Sequence, residues 1–272
     1  MEPFPTGPPI WPPSPPGAPA PPTAPTEPGG HSPSWGLGDV ALGIGLFFAV
    51  QFVIGAGLVI LIAAVGGDLA LDDPNGGSSL ALLFLSAPLS WLVLVGWPWW
   101  VSRRKGSGRL SADFGLAIRP TDLLLGFAGG VLALAASAAL AVAYSALFGG
   151  DAPSNTDIIG GDTQSVLTIV LLFAVIAVGT PIAEEVFFRG LVLGAARKRW
   201  GTLAGVVSSS LLFGLFHVQA DLVSWAFVGV VTAVYGVVFA LLRVWSNGRI
   251  AASIVAHMLV NGAAIVIVLT SA

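Results

Sequence analysis

The chain has 272 residues, 55% of them hydrophobic and only 9% charged, against about 25% charged in an ordinary soluble domain. With a mean hydropathy of +0.89 there is too little charge to clothe a water-soluble core of this size, so a multi-pass membrane protein is expected. The absence of cysteine excludes disulfides and thiolate metal sites; the net charge of −3 singles out no partner, and nucleic acid is not an expected one.

Residues 1–35 hold fourteen of the twenty prolines and no Lys or Arg. Proline at this density removes backbone donors and prevents a packed core, which predicts a disordered, partly polyproline-II tail serving as a spacer. The start, MEPFPTGPP, has no basic stretch followed by an apolar core, so no cleavable signal peptide is expected.

The remainder, 36–272, is expected to form one all-α domain, a polytopic bundle of about seven transmembrane helices. The apolar segments fall at about 38–66, 80–101, 121–148, 164–196, 202–218, 222–243 and 250–271, and in lipid such runs satisfy their backbones best as helices. The fourth is too long for a straight span, and Gly179 and Pro181 predict a kink or break within it. Arg103, Arg104, Lys105, Arg109 and Arg119 lie between the second and third segments. Arg197, Lys198 and Arg199 lie between the fourth and fifth, and Arg243 and Arg249 between the sixth and seventh. These are alternate loops, so the basic residues share one side, which the positive-inside rule makes cytoplasmic. Asp68, Asp72, Asp73, Asp151, Asp157, Asp162 and Asp221 occupy the other loops, which carry no Lys or Arg. The N-terminus is then expected in the cytoplasm and the C-terminus outside, in a bacterial cell membrane.

One basic residue, Arg189, is left over. It belongs to TPIAEEVFFRG, which puts Glu184, Glu185 and Arg189 into an apolar span. A charge at the bilayer centre costs about 2.5–3.5 kcal/mol on insertion scales, so such residues face the bundle interior and usually have a task. The other ionisable residues inside the spans are His217 and His257, with the amide Asn261 one turn after His257. Residues four apart share a helix face. Glu185 and Arg189 are therefore predicted to form a supporting ion pair, which leaves Glu184, rotated by about 100°, as the freer carboxylate. His257 and Asn261 share a face, as do Phe213 and His217.

Depth agrees with spacing. At 1.5 Å per residue, Glu184 lies about 20 Å from Lys198, His217 about 22 Å from Thr202, His257 about 12 Å and Asn261 about 18 Å from Arg249. Three helices thus place polar groups in one layer. Such a set can hydrolyse an amide: a carboxylate as general base, an imidazole to polarise the same water, and an imidazole with an amide to stabilise an oxyanion. Spacing does not say which histidine takes which part. No GxSxG serine, no cysteine and no HExxH motif is present, which disfavours an acyl-enzyme route. Three alternatives stay open: Glu184, His217 and His257 as ligands of a catalytic metal, a proton-coupled carrier, and a non-catalytic binding or immunity protein. No cofactor is assigned.

EEVFFR (Glu184 to Arg189), FGLFH (Phe213 to His217) and HMLVN (His257 to Asn261) match, in order, the EExxxR, FxxxH and HxxxN motifs of the CPBP family. That family includes type II CAAX prenyl endopeptidases and bacterial Abi-type membrane proteins. The resemblance covers about residues 110–272, and DFGLAIRPTDLLLG before the third span is similar to the family's lead-in. It implies an intramembrane glutamate-dependent endopeptidase. Glu184 and His217 would activate water, His257 and Asn261 would form the oxyanion hole, and Glu185 and Arg189 would support them. The implied partners are membrane lipid and a membrane-associated peptide or protein substrate, prenylated or not.

Overall fold

The computed structural model describes residues 33–64, 77–154, 165–217, 219 and 221–271. The expected Pro-rich tail up to residue 32 lies outside them, as do Asp68, Asp72, Asp73, Asp157 and Asp162.

Every regular element among the described residues is helical. Two long helices come first, α1 (Leu37–Ala64) and α2 (Gly77–Lys105), then a single turn α3 (Leu110–Asp113) and the long α4 (Pro120–Phe148). An apolar run of 50 residues, Val166–Leu215, follows. It consists of α5 (Val166–Leu172), a π-helical stretch Phe173–Gly179, α6 (Thr180–Glu184), a second π stretch Glu185–Val192, and α7 (Leu193–Leu215). The last two helices are α8 (Leu222–Trp245) and α9 (Ala251–Ser271).

Six of these stretches are long and apolar enough to cross a membrane. The fourth and fifth segments expected from sequence follow one another within a single apolar run. Gly201 divides it: at φ 85° and ψ 176° it is not helical, a conformation that a residue without Cβ adopts freely. The chain folds back there, since Ser209 of α7 donates to the carbonyl of Phe188 at 3.0 Å. Among the described residues the bundle thus has seven rods.

The break expected at Gly179 and Pro181 takes another form. The helix is not interrupted; it widens into π turns before and after α6. Pro181 sits inside this continuous run, where it has no N–H to give to the preceding turn. A π turn leaves carbonyls without their usual α-helical donors, and side chains of other helices supply donors. Asn261 donates to Ile176 O at 2.9 Å, Ser209 to Phe188 O, and Arg243 to Gly190 O at 3.1 Å.

The basic residues gather at one end of the bundle. Arg249 grips Asp122 with two hydrogen bonds of 2.8 and 2.7 Å. Lys105 pairs with Asp39 at 2.7 Å, and Lys198 lies 3.3 Å from the centre of the Trp35 ring. The loop before α9 joins the segment before α4 through Ile250 N–H to Gly115 O, 2.9 Å. Sequence alone did not anticipate these carboxylate partners at the basic end.

Candidate active site

The second π stretch decides what surrounds the adjacent glutamates. All eight of its residues, Glu185 to Val192, are buried. Glu185 and Arg189 have no solvent exposure, and Glu185 Oε1 is 3.2 Å from Arg189 Nη1, the expected i,i+4 pair. A buried guanidinium needs more than one partner. Arg189 also donates to Gly236 O at 3.2 Å, and its charge lies over the faces of Phe213 at 4.4 Å and Phe239 at 5.2 Å, where ring quadrupoles attract it. Phe213, read from sequence as the companion of His217, thus also supports the arginine.

His257 comes to this pair from α9. Its Nδ1 is 3.2 Å from Glu185 Oε1, and its Nε2 is 3.7 Å from Glu184 Oε2. The carboxylate of Glu185, ion-paired to Arg189, accepts, so Nδ1 carries the proton. The ring is held further by stacking on Phe239, 4.9 Å between centres, and by the edge of Phe213 at 5.6 Å. His257 therefore presents Nε2 toward Glu184. Glu184 is the less enclosed of the two carboxylates, with 18% of its side chain exposed against none for Glu185.

His217 lies just beyond the C-terminus of α7. Its Nδ1 is 2.7 Å from the carbonyl of Phe213. A carbonyl only accepts, so Nδ1–H donates and Nε2 of the neutral ring is left as an acceptor. The ring meets Phe213 edge-on at 4.8 Å, and Glu184, His257 and Arg189 are all near enough to act on it electrostatically. Its position depends on how closely α7 meets α8. A Cβ on Gly214 would stand 2.3 Å from Gly229 O, so any other residue there would push the two helices apart.

A cavity of about 560 Å³ lies between α4, α8 and α9, with His217, His257 and Asn261 on its wall. Ser137, Thr232 and Tyr235 are its other polar residues on these helices; most of the remaining lining is apolar. Glu184 is not among the lining residues and stands next to the cavity through His257. Such an apolar cleft with a few convergent polar groups suits a peptide or an extended apolar ligand. Asn261 was expected to donate to an oxyanion. One amide hydrogen is occupied by Ile176 O, and an amide has a second. Among the described residues, no group of three His, Asp or Glu is arranged to hold a metal ion.

The structure thus brings together every residue that the motifs singled out. It adds two that spacing did not show, Ser209 and Arg243. Each bonds a backbone carbonyl of the π stretch, and sequence cannot tell which carbonyls will need a donor.

Residues 166–263 match the family model described as type II CAAX prenyl endopeptidase, Rce1-like. The match contains the EEVFFR, FGLFH and HMLVN motifs and lies within the expected 110–272. No curated protein and no solved structure matches the chain. The matched family is one of proteases, which sets hydrolysis above the carrier and immunity alternatives.

Proposed function

We propose, from the match of residues 166–263 to the type II CAAX prenyl endopeptidase model, that the chain is an endopeptidase that cleaves a peptide bond with water activated by Glu184 and His217. The observation that carries this reading is the position of His257. It touches both glutamates, at 3.2 and 3.7 Å, on the wall of a cavity that also exposes His217 and Asn261.

In this reading Glu184 is the general base. His217, its Nδ1–H held by Phe213, accepts a hydrogen bond from the same water at Nε2 and orients it. The water oxygen adds to the scissile carbonyl carbon, and the water proton passes to Glu184. His257 Nε2, 3.7 Å away, takes that proton and faces the oxyanion as an N–H donor beside the second amide hydrogen of Asn261. Catalytic hydrogen bonds are often long before substrate binds, and they tighten in the complex. Collapse of the tetrahedral intermediate breaks the C–N bond, and the proton returns through Glu184 to the leaving amine. Glu185 and Arg189 orient His257 and are positioning residues. The cytoplasmic N-terminus and outward C-terminus belong to the same proposal, supported by the collection of basic residues at one end.

Glu184→Gln and His217→Ala are expected to abolish cleavage with membrane insertion and abundance unchanged. Comparative mapping of new protein N-termini in cells with wild-type or Glu184→Gln protein tests this. Equal sets of termini would sink the base assignment.

A further inference from the structure

The cavity is not centred along the bundle. Its α4 wall runs from Leu134 to Ala141, its α9 wall from His257 to Ile267, and its α8 wall from Tyr235 back to Phe227. Measured from the basic end, Leu134 lies about 21 Å and Ala141 about 31 Å beyond Pro120. His257 lies about 9 Å and Ile267 about 24 Å beyond Ala251. On α8, which runs the other way, Tyr235 is about 15 Å and Phe227 about 27 Å from Trp245. All three walls therefore extend from the layer of the histidines toward the end away from the basic residues. The remaining lining, Ala152, Pro153 and Ser154, follows α4 at that far end.

Charge separates the two ends. Ten of the eleven Lys and Arg lie in the loops and helix termini of one end, as cytoplasmic loops do. At the far end Asp151 and Asp221 are exposed. The backbone N–H of Ser224 holds the Asp221 carboxyl below the usual carboxylate range, so it is ionised at neutral pH. In sequence the far loops add five more Asp and no Lys or Arg.

We propose that the substrate reaches the site from the extracytoplasmic face. It is a translocated peptide, or the outward-facing end of a membrane protein's apolar segment, not a C-terminus presented in the cytoplasm. The apolar part lies between α4, α8 and α9, where Ala138, Ala141, Ala263 and Ala264 leave room for it. Asp151 and Asp221, exposed at that end, favour an uncharged or basic flank. This substrate class rests on the proteolytic reading above; the sidedness does not.

The cysteine-free chain permits a direct test in spheroplasts of a bacterial expression host. Asp151→Cys is expected to react with a membrane-impermeant maleimide in intact spheroplasts, and Arg199→Cys only after permeabilisation. The reverse pattern, or equal reaction of both from outside, overturns the sidedness. Maleimide attached from outside to Ala152→Cys, on the cavity wall, is expected to cause loss of the N-termini that wild-type but not Glu184→Gln protein generates. Persistence of those termini overturns the route of access. The termini themselves are expected in exported or outward-facing segments, and their location in cytoplasmic segments overturns the substrate class. Labelling as expected with no difference in termini overturns the proteolytic reading and the substrate class with it, and leaves the sidedness standing.

Discussion

Nδ1 of His257 lies 3.2 Å from Oε1 of Glu185, across 72 residues of sequence and between two helical rods. The contact fixes which nitrogen of the histidine carries the proton, and so which nitrogen turns toward Glu184 and the cavity. The same oxygen holds Arg189 at 3.2 Å, so one buried carboxylate sets both a cation and an imidazole.

Glu185→Ala is expected to leave Arg189 buried without its anion, a loss of the kind that costs about 3–5 kcal/mol. It also frees the His257 ring. We expect a lower unfolding midpoint in detergent together with a partial loss of kcat, because Glu184 and His217 remain. A variant as stable and as active as wild type would show that the pair orients nothing.

Asn261→Ala is expected to lower kcat by about 10²- to 10³-fold, the usual cost of one oxyanion donor, with little change in KM. The bond to Ile176 O is lost as well, so a thermal melt must accompany the kinetics. An unchanged kcat would remove Asn261 from the oxyanion site.

Arg243 donates to Gly190 O at 3.1 Å and to Gly248 O at 3.2 Å, tying the second π stretch to the turn after α8. Hydrogen bonds from a charged donor are worth about 1.5–3 kcal/mol each. Arg243→Ala is expected to lower the unfolding midpoint clearly, and Arg243→Lys to recover only part, because one ammonium lacks the guanidinium fork. Identical melting of Arg243→Ala and wild type would contradict this account of the turn.

No three described His, Asp or Glu residues converge as ligands do. Protein treated with chelator and freed of metal is therefore expected to generate the same N-termini as untreated protein. Loss of activity restored by one added divalent cation would move Glu184, His217 and His257 to the role of ligands.

Sequence alone determined the class of molecule. Charge so scarce and apolar runs so long leave only a helical membrane bundle, because backbone polar groups in lipid must be satisfied and continuous runs without strand alternation can do so only as helices. It also determined the candidate set: a few ionisable groups at helical spacing and common depth are conspicuous where burial of charge is costly. Glu185 and Arg189 could be paired from spacing, since four residues along a helix is a local relation. Tertiary structure decided the rest. That His257 rests on Glu185 with Glu184 beyond it, that Gly201 folds one long run back on itself, and that Ser209, Arg243 and Asn261 cap the carbonyls of widened turns are relations between distant segments. They depend on helix rotation and close approach, which the pattern of apolar residues along any one segment does not encode.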